Sequence, residues 1–239
     1  RQRAQARFYP AIHPLQSYAE DAHTFAPWWT EQGLSQWLPL RRRFLTLLDQ
    51  EAHLERMARI IGKDALPVRQ QLTLLCADLV NEAFLRQNAF SPIDRVCSPA
   101  RAGAMMRVIG RFIDLADAAA AAGVRPDRLT AMSCLRPLQR MGEEIGDDEL
   151  DRFAQIETAM EREFGELTRD FQRKQREFRE DLSQRQDEEM AAIFERVNKI
   201  IKQLAEAEKY DIIFQEAVYA NSRIDITDKV IKALGDGTK

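Results

Sequence analysis

After Pro137 the 239-residue chain has no proline, tryptophan, histidine or cysteine, and between Gly165 and Gly235 it has no glycine. That long stretch has no helix breaker and no Cys or His ligand, which excludes a loop-rich fold and a zinc-type site there. Before that point these residues are still scarce. The three cysteines (Cys76, Cys97, Cys134) are odd in number and their spacings fit no zinc or redox motif. They are expected to be reduced, partly buried thiols, which favours a reducing compartment. The three histidines (His13, His23, His53) share no helix face at metal spacing, so no metal site is expected. No apolar run approaches the ~18 residues of a membrane span. A net charge of −3 with pI ≈ 5.8 argues against an electrostatic nucleic-acid binder.

Catalytic signatures are missing as well. There is no G-x-x-x-x-G-K-[ST], because Gly62-Lys63 has no matching upstream glycine, and no G-x-G-x-x-G, G-x-S-x-G, H-E-x-x-H or C-x-x-C. Acid pairs such as Glu143-Glu144 and Glu188-Glu189 sit among other charges and read as solvated faces, as does the basic run Arg41–Arg43. The chain opens at Arg1 without the apolar core of a signal peptide, and is expected to be a piece of a longer protein.

What is present is a core-forming composition, 45% hydrophobic, with an unusually high 31% of charged residues and a mean hydropathy of −0.43. The length allows one large domain or two small ones. Residues 1–33 read as an irregular, aromatic-rich segment punctuated by Pro10, Pro14, Pro27 and Gly33. Over 35–61, Leu45, Leu48, Leu54, Met57 and Ile61 recur mostly at three- and four-residue spacings and predict a helix ended by Gly62. A turn at 63–67 leads to a second helix over 67–86, striped by Leu72, Leu75, Leu79 and Phe84, which closes an antiparallel hairpin. A loop over 87–99 follows, and Ser98-Pro99 reads as the N-cap and first residue of a third helix over 99–122. Short helices at 126–132 and near 135–141 complete this part.

From Asp147 about half of the residues up to 209 are charged, and Phe153, Met160, Phe164, Leu167, Phe171 and Phe178 form a heptad seam. The seam fades over 183–189 and resumes at Met190, Ile193, Val197, Ile200 and Leu204. A helix of ~60 residues, about 90 Å long, with one apolar stripe needs a partner. Phe164, Phe171, Phe178, Ile193 and Ile200 are therefore expected to be buried by self-association, unless the seam folds onto the N-terminal domain. Residues 211–215 and 217–220 read as short strands, and Asp225 or Thr227 as the cap of a last helix ending at Leu234-Gly235. The expected architecture is mainly α: a helical-hairpin domain (1–146), a long coiled-coil-like helix (147–209) and a small α/β tail with two short strands (210–239).

Two resemblances attach to these residues. Phe8-Tyr9-Pro10-Ala11-Ile12-His13-Pro14-Leu15, then Ile61-Gly62-Lys63-Asp64-Ala65-Leu66-Pro67, then Phe84-Leu85-Arg86-Gln87-Asn88-Ala89-Phe90 with Pro92, Asp94 and Cys97-Ser98-Pro99, occur in the order found in catalytic A subunits of vacuolar/archaeal-type rotary ATPases. About 160 residues resemble the C-terminal helical domain of that family. The resemblance implies an adenine-pocket wall at Phe8, Tyr9, Gln87 and Phe90, and a rotor-facing hairpin tip at Asp64, Ala65, Leu66 and Pro67. It implies as partners the nucleotide-binding domain and the rotor stalk, in a cytoplasmic complex peripheral to the membrane. The acidic tip of related synthase subunits does not carry over, because Pro67-Val68-Arg69-Gln70 follows Leu66. No phosphate-binding loop is present, so no catalysis is expected from this chain alone. No cofactor is expected either, ATP–Mg belonging to the complete subunit.

Residues 169–182, Glu208-Lys209-Tyr210-Asp211-Ile212-Ile213, Ala217-Val218-Tyr219 and 224–231 are similar to the returning tentacle helix, closing strands and last helix of the periplasmic chaperone family Skp/OmpH, over roughly 167–239. This resemblance implies an ATP-independent holdase for unfolded outer-membrane proteins, and a periplasmic setting. The junction falls near 164–168, inside one helix and in heptad register. The residues alone leave open both a natural and an artificial fusion.

Overall fold

A computed structural model describes residues 2–5, 8–17, 20–215, 219 and 224–236. It is mainly helical: α1 (Gln2–Gln5), α2 (Ala26–Glu31), α3 (Trp37–Ile61), α4 (Val68–Val80), α5 (Pro99–Ala121), α6 (Pro126–Thr130), α7 (Leu135–Glu144), α8 (Asp151–Glu208) and α9 (Thr227–Asp236). The chain divides into two compact units, residues 1–172 and 173–239, and the boundary lies inside α8.

In the first unit α3 and α4 pack side by side through a tight turn in which Gly62 has φ +87° and Lys63–Ala65 form one 3₁₀ turn. Helix α4 ends in a π-helical turn, Asn81–Leu85. Helix α5 is buried on most of its circumference, from Gly103 to Ala119, against α3, α4 and α7. The Ser98 hydroxyl caps it by accepting from the Arg101 N–H at 3.2 Å, with Pro99 in the first turn. The core closes with the first third of α8: Phe153, Met160 and Phe164 are buried, and the Phe164 ring meets Phe112 edge-on at 5.5 Å. Gly123 ends α5 with φ +99°, and a Cβ there would lie 3.0 Å from the Phe171 ring, so conformation and space both call for glycine.

Three sequence expectations need correction. Residues 1–33 are not irregular throughout: Ala26–Glu31 is a helix with Pro27 in its first turn, and Trp29 stacks on Trp37 at 5.5 Å. The α3 stripe leaves the core before the helix ends. Leu48 is buried, but Met57 and Ile61 are exposed. Residues 211–215 form no strand, and Ile212 and Phe214 are exposed. A strand needs a ladder partner, and none occurs among the described residues. The second expected strand, 217–220, lies outside the described residues apart from Tyr219. In the second unit α9 begins where the Asp225 carboxylate accepts from the Thr227 N–H at 2.9 Å, and Lys229 donates to Glu208 at the end of α8 at 2.6 and 2.8 Å.

Candidate functional site

Three of the four residues expected to wall a pocket come together. Tyr9, Gln87 and Phe90 line one open cleft of about 770 Å³ beside the π-helical turn and α7. The Gln87 N–H donates to the Tyr9 carbonyl at 2.7 Å, which holds the N-terminal segment against the end of that turn. Tyr9 is 54% and Phe90 98% exposed, so two aromatic side chains stand free at the cleft. Phe8 is placed apart: it is half-buried, and the Arg3 guanidinium lies 3.9 Å over its ring.

Local polar chemistry shapes the loop that carries Phe90. The Asn88 side chain accepts from the Phe90 N–H at 3.1 Å, and Asp94 accepts from the Asn88 N–H at 2.5 Å. Behind the loop sits Arg101, fully buried, donating to the carbonyls of Ile93 (3.0 Å), Val96 (2.9 Å) and Gly142, with Asp94 3.9 Å away. A buried charge needs such partners, and here they fix the loop to α5 and α7. Burial pushes the Asp94 carboxyl up, and the Asn88 N–H and the Arg101 charge act against that rise.

The remaining charges of the cleft are largely paired. Arg86 meets Glu82 at 2.6 Å, and Arg140 meets Glu144 at 3.2 Å and Glu143 at 3.7 Å. The cleft therefore sets two exposed aromatic side chains, Tyr9 and Phe90, beside charges that largely satisfy one another. Among the described residues no His/Cys/Asp/Glu group is arranged to hold a metal ion, and no helix is long and apolar enough to cross a membrane.

At the hairpin tip Asp64, Ala65 and Pro67 are exposed, whereas Leu66 is buried and its carbonyl accepts from Gln71 Nε2 at 2.7 Å. Around the tip Met57, Ile60, Ile61 and Val68 are exposed. Of the heptad-seam residues, Phe164 is buried in the first unit's own core and Phe171 packs against it. In the second unit Phe178 and Ile193 are exposed and Ile200 is half-buried.

Sequence reasoning missed Arg101, the one fully buried arginine of the three in α5, and Glu163. The Glu163 carboxylate accepts from the Ser133 and Cys134 N–H groups at 2.7 and 3.0 Å, at the start of α7. Burial raises its pKa, but these hydrogen bonds outweigh burial and hold it below the usual range. The signal for Arg101 was its place two residues after Ser98-Pro99. Glu163 gave none, being one acid among many.

Comparison with known proteins divides the chain similarly in kind. Residues 26–127 match the family described as the C-terminal domain of V and A type ATP synthase, and residues 136–234 match that described as outer membrane protein (OmpH-like). The second match begins well before residue 167, taking in α7 and the part of α8 that packs in the first unit. The A subunit of the A-type ATP synthase of Halobacterium salinarum is 33% identical over 164 residues, 69% of this chain and 28% of the relative. That of Methanococcus maripaludis is 34% identical over 166 residues, again 69% and 28%. That of Haloferax volcanii is 37% identical over 139 residues, 58% and 24%. The chain thus spans about a quarter of the length of these curated relatives, and the part matched is a C-terminal domain without a phosphate-binding loop.

Proposed function

We propose that this chain acts as a non-catalytic helical module of the kind found in A-type ATP synthase catalytic subunits, joined through α8 to an OmpH-like segment. The observation that supports this most is the convergence of Tyr9, Gln87 and Phe90, from distant parts of the sequence, on one cleft beside a paired set of charges. In this reading Tyr9 and Phe90 form the outer wall of an adenine pocket whose phosphate-binding half belongs to a nucleotide-binding domain. Phe8 stays outside the cleft, under the Arg3 guanidinium. The turn at Asp64, Ala65, Leu66 and Pro67, with its exposed apolar collar, faces a rotor stalk. In this reading the chain divides as 1–146, the long helix 147–209, whose first part through Phe164 lends its apolar face to the first unit's core, and the tail 210–239, and the module works on the cytoplasmic side, peripheral to a membrane, without binding nucleic acid.

The energetics set the test. One stacked base, at about 1–3 kcal/mol, falls short of the ~4 kcal/mol that a Kd of ~1 mM requires. The chain alone should therefore show no saturable adenosine or ATP binding below ~1 mM in calorimetry. Supplied with the nucleotide-binding domain of an A-type synthase, it should form a complex and raise that domain's affinity for ATP, and Phe90→Ala should abolish the gain. No complex with that domain, and none with a rotor stalk, would defeat the reading.

A second reading is favoured by a different observation. Phe178, Leu182, Met190, Ile193 and Phe194 are exposed on the highly charged part of α8. An apolar face of this sort supports an ATP-independent holdase of the OmpH type, acting on unfolded outer-membrane proteins in a periplasmic setting and self-associating through Phe178, Ile193 and Ile200. Such a protein would suppress aggregation of an unfolded outer-membrane protein without ATP. A folded oligomer that gives no suppression sinks this alternative.

A further inference from the structure

Helices α3 and α4 carry acidic side chains toward each other at the middle of the hairpin. Glu51 on α3 and Asp78 on α4 are both half-buried, and the two carboxyls act on each other electrostatically across the helix interface. Asn81 Nδ2 donates to both oxygens of Glu51, at 3.1 and 2.8 Å. Asn81 Oδ1 accepts in turn from Arg3 Nη2 at 2.7 Å. The same guanidinium donates to the Ile12 carbonyl at 2.8 Å and covers the Phe8 ring. Arg3 thereby clasps both sides of the segment whose Tyr9 carbonyl receives the Gln87 N–H. At the other end Asp78 reaches Lys63 of the tip turn at 3.7 Å. A continuous polar chain therefore runs Lys63, Asp78, Glu51, Asn81, Arg3 to the segment bearing Tyr9.

We propose that Glu51 and Asp78 form a proton-sensitive joint between α3 and α4, connected through Asn81 and Arg3 to the segment bearing Tyr9, so that the charge state of the hairpin sets one wall of the cleft. With one proton shared, the two carboxyls attract across the helix interface. Without it, two negative charges face each other in a partly desolvated gap, and the Arg3 cation is drawn harder toward Glu51. The groups that bear on the joint are Arg3 from α1, Lys63 from the tip turn, Asp78 from α4, Asn81 from the π-helical turn and Glu55 on the same face of α3. Burial, reinforced by Asp78, pushes Glu51 up to about 7, and burial raises Asp78 as well, against the pull of Lys63. The switch would thus work near neutral pH. Networks of this sort couple sites when one element has two arrangements that both ends bias. The inference does not depend on what the cleft binds.

The test is carboxyl-carbon NMR of Glu51 together with hydrogen exchange at the Gln87 amide, on the full chain from pH ~5.5 to ~8.5. Glu51 is expected to titrate near 7. Gln87 protection, corrected for intrinsic exchange, should change at least about threefold with the same midpoint. Glu51→Gln, which fixes the uncharged form and keeps an acceptor for Asn81, should remove that step. Asn81→Ala should leave Glu51 titrating high while Gln87 no longer follows it. Glu51 titrating in the ordinary carboxylate range, no step at Gln87 in the parent chain, or a step that survives in either variant would each overturn the proposal.

Discussion

Helix α8 is one continuous helix with two fates. In the first unit its apolar side chains are absorbed by a core: Phe153, Met160 and Phe164 are buried, and Phe171 closes against Gly123. In the second unit Phe178, Leu182, Met190 and Ile193 stand in solvent, and among the described residues only Val230 reaches the same burial. The seam's spacing is similar on both sides of the boundary, so periodicity cannot tell them apart. What differs is whether other elements are present to cover the stripe: α5 and α7 lie on one stretch, whereas on the other only α9 meets the helix, at its end, where Lys229 bonds Glu208, and Phe178, Leu182, Met190 and Ile193 stay exposed. A heptad stripe is a statement about need for a partner, and the partner need not be another coil.

That contrast gives its strongest test at matched phenylalanines. Phe164→Ala should cost ~3–5 kcal/mol in urea unfolding of the first unit, by loss of buried contacts and a cavity beside Phe112. Phe178→Ala should change stability by less than ~0.5 kcal/mol in the monomer. A Phe178→Ala cost that grows with protein concentration would show that the second stretch is covered by another copy, and would erase the contrast.

Arg101→Met probes the first unit from its polar side. It leaves three carbonyls without their donor and Asp94 without its neighbouring cation, and a loss of ~3 kcal/mol or more is expected. A loss confined to a fraying loop, seen as rapid exchange over 88–97 with an unchanged midpoint, would show that the cleft loop is not part of the cooperative core.

Two carboxyls in the first unit should respond to pH with opposite sign. Glu51 is raised in the folded state, so its favourable contribution is complete below the unfolded value near 4.5 and is lost as pH rises through about 7. Glu163 is lowered, so its contribution is present above the unfolded value and is lost as pH falls through the folded one. Denaturant midpoints of Glu51→Gln should therefore be flatter than the parent's on the neutral side, and those of Glu163→Gln flatter on the acid side. The reverse assignment would mean that burial dominates at Glu163.

Smaller effects complete the set. Ser98→Ala removes the α5 cap and should cost about 1 kcal/mol by thermal or urea unfolding. Burial pushes the Cys76 and Cys134 thiols up to about 12 and raises Cys97, so a disulfide reagent at pH ~8 should label all three slowly until the chain is unfolded. Fast labelling at Cys134 in the native chain would show α7 opening locally.

Much of the first unit could be read from residues. The Gly62 stop, the Ser98-Pro99 start and the long helix each rest on local stereochemistry, which a sequence displays directly. The cleft was legible in part: Tyr9, Gln87 and Phe90 do meet, but Phe8 is engaged by Arg3, a contact that depends on where α1 docks. Arg101 and Glu163 stayed hidden because their hydrogen-bond partners are backbone groups, in Glu163's case 29 and 30 residues away, and a backbone group leaves no letter. The strand expected over 211–215 failed because β-branched composition reports suitability for a sheet, and the sheet itself has to be supplied by neighbours.

The buried guanidinium of Arg101 also has a consequence for how the chain is made. Two of its acceptors, Ile93 and Val96, precede it, but the third, the Gly142 carbonyl, lies 41 residues later. Until α7 has been synthesised, Arg101 cannot leave water without a deficit, and the loop carrying Phe90 has no reason to settle. The cleft wall, though encoded early, is completed late. A chain arrested before Gly142 would hold α3, α4 and α5 with that wall still unset, so α7 is the element whose arrival times the maturation of the site.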